Sequence, residues 1–287
     1  TRFAQTLKNE LGCQIVPIQH HRAHVAALMG EHNLQEIVGI VCDGFGYGSD
    51  GGAWGGEIFH ISQDGIHRLA HLQEQPMVGG DLATRYPLRM AASMLHGTMD
   101  VEEWLFSQSG HFPHGEREVE VMFKQLTKES TVKTTSCGRV LDAVSAILGV
   151  CYERTYEGEP AMKLESVATK GTDVFDLTPI FDGATIGTTQ LVQEIFRERD
   201  EYSVVDLACS AQSYLARSLA HRAVEEARRV GVKTIGFSGG VAYNESIKRI
   251  IKRTVERSGL GFLAHHQIPP GDGGISFGQT VAVNLQI

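Results

Sequence analysis

His20 and His24 stand four residues apart in a stretch that reads as a helix from His20 to Glu31, so both imidazoles leave one face and can share one metal ion. The spacing alone is weak evidence. In a chain with 13 His, an ordinary pair of surface or core histidines fits it as well. His21 points elsewhere on the helical wheel and is set aside as a ligand. No Glu follows the first His, so the HExxH metalloprotease pattern is absent. Asp43 ends an apolar, β-branched run, and Asp272 sits in a Gly-rich turn. Together with the two His they would make a hard-to-intermediate donor set suited to Fe, Zn or Mn, with Mg possible, and with room for phosphate oxygens. For each Asp alone, an Asx-turn or a helix N-cap is the simpler reading.

Two further stretches could hold an anion. From Asp43 to Glu57, seven of fifteen residues are Gly, which suggests a phosphate-facing β-hairpin whose Gly44, Gly46 and Gly48 can take positive φ and bring N–H groups close to a ligand. An ordinary Gly-rich turn is the alternative. Ser238-Gly239-Gly240, running on to Asn244, lies between a strand and a helix, where backbone can approach a phosphate and Asn244 can reach a base or ribose. A tight strand-to-helix connection would look the same. Asp142 could accept from a ribose hydroxyl, or be an exposed helical Asp. No Ser-His-Asp or Cys-His constellation can be assembled from spacing.

The elements that must position these residues alternate. A helix from Thr1 to Leu11 and a short strand at Ile15 to Ile18 precede the His helix, which should end near Asn33. Ile37 to Leu72 predicts three strands, the Gly-rich hairpin between the first two. Helices follow: after Gly79-Gly80-Asp81, interrupted by Pro87, then Glu116 to Glu129, Val140 to Leu148, and one that Pro160 can start. A long amphipathic helix spans Val204 to Val230, with Leu207, Ala211, Leu215, Leu219 and Ala223 every fourth residue. A strand at Thr234 to Phe237, a helix from Asn244 to Ser258, a strand near Phe262 and a last helix after Gly274 complete an α/β pattern around a mixed sheet.

Composition fits a globular protein of 287 residues, 42% hydrophobic and 21% charged. A net charge of −8 argues against a general nucleic-acid binder. Five Cys without a CxxC point to reduced thiols, and no apolar run is long enough to span a bilayer. A cytoplasmic location away from membranes is expected.

His20-His21-Arg22-Ala23-His24, Asp43 to Glu57, Gly79-Gly80-Asp81 with Pro87-Leu88-Arg89-Met90-Ala91, Ser238 to Asn244, and Gly271 to Gln279 together resemble one family from end to end. It is the C-terminal part of the HypF carbamoyltransferases of NiFe-hydrogenase maturation. Their relatives are the tRNA threonylcarbamoyladenosine enzymes and the antibiotic O-carbamoyltransferases. The resemblance implies the α/β fold of actin, sugar kinases and the Hsp70 ATPase (ribonuclease H-like), with the first lobe truncated at its N-terminus. Residues 1–36 would then be a remnant of that lobe carrying the metal-binding helix, and 37–287 the second, nucleotide-binding lobe.

It implies that His20, His24, Asp43 and Asp272 hold one divalent metal bridging to nucleotide phosphates. The nucleotide would lie between Gly44, Gly46 and Gly48 and the turn at Ser238, Gly239 and Gly240, with Asp142, Gly158 and Asn244 at ribose and base. Lys163 falls where the tRNA-modifying relatives carry a ribose-binding Glu. Arg85 or Arg89 would orient an anion in catalysis, or else form a surface salt bridge. The implied chemistry starts from carbamoyl phosphate and ATP and passes the carbamoyl group of carbamoyl adenylate to the C-terminal Cys of a HypE-type partner. A tRNA threonylcarbamoyl transferase-like enzyme and a non-catalytic nucleotide-binding docking module are the alternatives. The family's upstream acylphosphatase, zinc-finger and adenylate-forming domains are not in this sequence, so a complete reaction is not expected from the chain alone.

Overall fold

A computed structural model describes residues 2–98, 100–128, 131–175 and 177–286; Thr1 and Glu129, at the ends of two expected helices, lie outside them. Helix α1 (Arg2–Leu11) is followed by extended chain and then α2 (His20–His32). The strand expected at Ile15 to Ile18 does not form: the segment has no sheet neighbour, and Val16 is 54% exposed. Gln19 caps α2 by accepting from Arg22 N–H, and Asn33 ends it in the left-handed region.

Strands β1 (Ile37–Tyr47), β2 (Ala53–Ser62) and β3 (Gly65–Leu72) form an antiparallel meander. Two-residue strands β4 (Gln75–Pro76) and β5 (Lys133–Thr134) pair beside β2. Between them run α3 (Leu82–Arg85), α4 (Leu88–Leu95), α5 (Val101–Ser107) and α6 (Glu116–Thr127). After β5 come α7 (Cys137–Ile147) and α8 (Glu159–Ala168), then a hairpin of β6 (Phe181–Asp182) and β7 (Thr185–Ile186). Helices α9 (Thr189–Glu198) and α10 (Val204–Val230) lead to β8 (Thr234–Ser238), α11 (Glu245–Arg257), β9 (Gly261–Leu263) and α12 (Ile275–Leu285).

The sheet order is β6-β7-β3-β2-β1-β8-β9, with β8 parallel to both β1 and β9. Alternation along β1 explains its central place. Val38, Ile40 and Cys42 enter the larger core under α7 and α10, while Ile37 and Val41 face α2 on the other side. Gly39 lies on that second face because a Cβ there would meet Val25 at 2.7 Å. Helix α12 packs along α2 at backbone distance, a Cβ on Gly278 falling 1.9 Å from Ala23 O. Helix α2 thus packs against both the sheet and α12. All five Cys are free thiols, and among the described residues no helix is long and apolar enough to cross a membrane.

Candidate metal and anion site

Pairing between β1 and β2 is regular up to Cys42 and resumes only at Gly46. The parallel ladder with β8 ends one residue earlier, at Val41 opposite Ser238. The strand therefore continues past Asp43, contrary to the expected strand end, and the bulge aims its carboxylate out of the sheet. Asp43 Oδ2 meets His20 Nε2 at 3.0 Å and His24 Nε2 at 3.1 Å, and Gly44 N–H donates to Oδ1 at 2.8 Å. Asp272, in the turn before α12, brings Oδ1 to 3.6 Å from His20 Nε2 and 3.8 Å from His24 Nε2. The two His nitrogens are 3.3 Å apart.

One donor atom from each of these four residues lies within 4.8 Å of the others. Around a Zn-, Fe- or Mn-sized ion with bonds of ~2.1 Å, neighbouring donors sit about 3.0–3.5 Å apart. His20, His24 and Asp43 stand at that spacing, and the Asp272 carboxylate would have to move inward to complete the set. His24 is buried and Asp272 is 70% exposed, which gives the site a closed floor and an open rim. Electrostatics hold Asp43 ionised. Burial opposes its charge, but the bonds to His20 and His24 and the Gly44 N–H outweigh it and push the pKa down. Burial likewise lowers the pKa of His20, yet Asp43 and Asp272 raise it overall. His21 is buried, and that burial, reinforced by neighbouring His20, lowers its pKa to about 3. Its Nε2 has no partner among the described residues, and it is no ligand.

Gly44, Gly46 and Gly48 do not adopt positive φ; within the hairpin that conformation belongs to Gly51. What two of them provide is room for the protein's own rings. A Cβ at Gly46 would meet His21 Cε1 at 2.4 Å, and one at Gly48 would meet the Trp54 indole at 2.3 Å. Gly44 stays open, its nearest neighbour being Arg139 Nη2 at 3.7 Å. Here the first turn of α7 arrives, with Ser136 Oγ 2.7 Å from Asp43 O and Gly138 against the Gly44 backbone. A helix N-terminus beside the carboxylate bulge favours an anion. No spacing in the sequence pointed to it.

On the opposite flank, Ser238 and Gly239 turn out of β8. Gly239 needs φ +95°, and a Cβ would strike Cys42 O at 2.3 Å; Gly240 stands against Asp43 Oδ1. The turn and the bulge therefore stand side by side.

The remaining expected polar residues have protein partners. Asn244 is buried, accepts from Ile247 N–H as the cap of α11 and donates to Gln212, so both its polar atoms have protein partners. Asp142 is not exposed: it is 1% accessible, 2.7 Å from Arg139 Nη2, and burial raises its pKa despite that arginine. Gly158, at φ +74°, precedes α8, and Lys163 pairs with Glu159 at 2.7 Å. Arg85 pairs with Glu153 at 3.0 Å on the surface, whereas Arg89 is buried, pairing with Glu118 and donating to Val78 O inside the fold rather than at the surface.

The mixed sheet, the bulged aspartate and the Gly-rich turn define the class. Residues 39–279 match the family described as "Carbamoyltransferase, Kae1-like Domain, second subdomain". The probable carbamoyltransferase HypF of Methanocaldococcus jannaschii is 39% identical over all of this chain and 38% of its own length. The crystal structure of T. kodakarensis HypF superposes with a TM-score of 0.92 at 40% identity, over 99% of this chain and 38% of that one. A full-length HypF in a phosphate- and nucleotide-bound form gives 0.88 at 28% identity, over 98% and 37%. This chain belongs to the HypF family, with the actin-like, ribonuclease H-like α/β fold, and spans a little over a third of the length of these relatives.

Proposed function

We propose that this chain is the carbamoyl-transfer part of a HypF-type enzyme, taking a carbamoyl group from carbamoyl adenylate, made from carbamoyl phosphate and ATP, to the terminal Cys of a HypE-type acceptor. The observation that carries the reading is the close approach of the Asp43 bulge to the Gly239–Gly240 turn beside a two-His, two-Asp donor set. His20, His24, Asp43 and Asp272 would hold the metal, which when bound supplies positive charge to phosphate oxygens. Gly44 and the first turn of α7 receive the anion from one side and Gly239 and Gly240 from the other, restricting its orientation.

In the transfer itself, the acceptor thiolate forms a bond to the carbamoyl carbon. The bond from that carbon to the adenylate oxygen breaks, and AMP leaves with the electron pair. The role of the protein is to fix the adenylate so that this carbon faces the open rim at Asp272. The test uses isotope-labelled carbamoyl phosphate, ATP, the adenylate-forming domain and the acceptor protein. Label should reach the acceptor's terminal Cys and be lost with His24→Ala while acceptor binding persists. An unlabelled Cys with the wild-type chain would refute the reading, and label surviving His24→Ala would reduce the cluster to a structural feature.

A further inference from the structure

Glu31 lies seven residues beyond His24, two turns along the same face of α2. Its carboxylate belongs to no surface ion pair. Oε1 accepts N–H groups of His266 at 2.8 Å and Gln267 at 2.5 Å, with Ile268 N–H at 3.4 Å, while Oε2 stands 2.8 Å from His265 Nδ1. The other ring nitrogen, His265 Nε2, is 2.9 Å from Ser238 Oγ. Ser238 Oγ is also 3.3 Å from Pro270 O, which receives the Gly239 N–H at 2.9 Å. An ionised carboxylate only accepts, so His265 donates from Nδ1, and its Nε2 lone pair takes the Ser238 hydroxyl proton. A Glu-His-Ser chain therefore exists that no sequence spacing revealed.

We propose that Glu31 is a positioning residue for the candidate metal site, an inference that rests on the metal reading of the His/Asp cluster. Asp272 is its weakest member: the exposed carboxylate meets only His20 and His24, at 3.6 and 3.8 Å. Its place depends on the segment before it, and that segment is anchored at 265–268 by Glu31 and at Pro270 by the Gly239 N–H. Because His20, His24 and Glu31 share one helix, the carboxylate sets the span between the histidines and the turn that delivers Asp272. Through His265 it also fixes Ser238, at the entrance to the Gly239 turn. Supporting groups of this kind govern metal affinity about as strongly as some ligands do.

Mn2+ titration of the wild-type chain, Glu31→Gln, Glu31→Ala and a control, Glu36→Gln, tests this, with amide hydrogen exchange at residues 266–268 measured alongside. Glu36 is exposed and pairs with His60 away from the site. Glu31→Ala should weaken Mn2+ binding about 10- to 100-fold and speed exchange at 266–268. Glu31→Gln, which keeps an oxygen for the N–H groups, should recover part of both, and the control should match wild type. A merely stabilising role predicts faster exchange with unchanged Mn2+ affinity; that result in either Glu31 variant overturns the proposal. Should Glu31→Ala not fold, Glu31→Gln with wild-type affinity and exchange overturns it equally. No Mn2+ binding to wild type, with His20→Ala indistinguishable, sinks the metal reading and this proposal with it. Wild-type binding that Glu31 variants do not alter removes the positioning role alone.

Discussion

A Cβ placed on Gly240 would lie 3.0 Å from Asp43 Oδ1, so the turn leaving β8 leaves no room for a side chain beside the carboxylate projecting from β1. The strands have already stopped pairing at that point, and this close approach closes the gap left between them.

Two neighbouring glycines should therefore fail differently. Gly239→Ala combines positive φ with a 2.3 Å clash against Cys42 O, and is expected to lower stability by about 2 kcal/mol or more in urea denaturation. Gly240→Ala meets only the end of a side chain and should leave the urea midpoint nearly unchanged. Its effect should appear as weaker Mn2+ binding, because Asp43 Oδ1 must give by a few tenths of an ångström.

His24→Ala should abolish stoichiometric metal binding, whereas His21→Gln should retain it, since His21 offers nothing to the cluster. In the metal-free protein His24→Ala also removes a buried partner of Asp43, a loss of about 1–3 kcal/mol readable by thermal melting.

Acid should destabilise the metal-free chain partly through His21. Its pKa is 6.5 when unfolded and about 3 in the native state. Between those values the unfolded chain takes up a proton that the folded one refuses. The stabilisation is complete above pH 6.5 and declines toward pH 3, by up to ~1.4 kcal/mol per pH unit. His21→Gln should flatten that part of the stability–pH profile; an unchanged slope would show that other groups set it.

Gly278→Ala pushes α12 off α2, because the new methyl would sit 1.9 Å from Ala23 O. A loss of about 1–3 kcal/mol is expected. Since α12 follows Asp272 directly, metal affinity should fall in the same variant, measured by titration at a temperature where it remains folded.

Added Mn2+ should raise the melting temperature of wild type and leave that of His24→Ala in place. At 100 times the dissociation constant the gain corresponds to about 2.7 kcal/mol.

Much of this site could be read from residue types. The i,i+4 histidines, an Asp closing an apolar run and glycines after a strand are local patterns, and the structure brings those residues together. Partners far apart in the chain could not be read. Glu31 and His265 look like ordinary polar residues until the fold joins them. Asp142 looked solvated because its local pairing with Arg139, three residues earlier on α7, is the pattern of an exposed helix face, whereas that face is buried in the core. Ile15 to Ile18 shows the opposite failure: a β-prone run stays irregular, because propensity alone makes no strand without a neighbour to pair with.

The backbone contact of α12 with α2 bears on ion selectivity. Gly30 and Gly278 bring the two helices together with little side-chain cushioning, so they resist sliding or rotating past one another. Donors from opposite ends of the chain are thus carried on a stiff frame, which a cation of the wrong radius must strain. If the cluster holds a metal, such a frame would discriminate by size before any charge difference between candidate ions is felt.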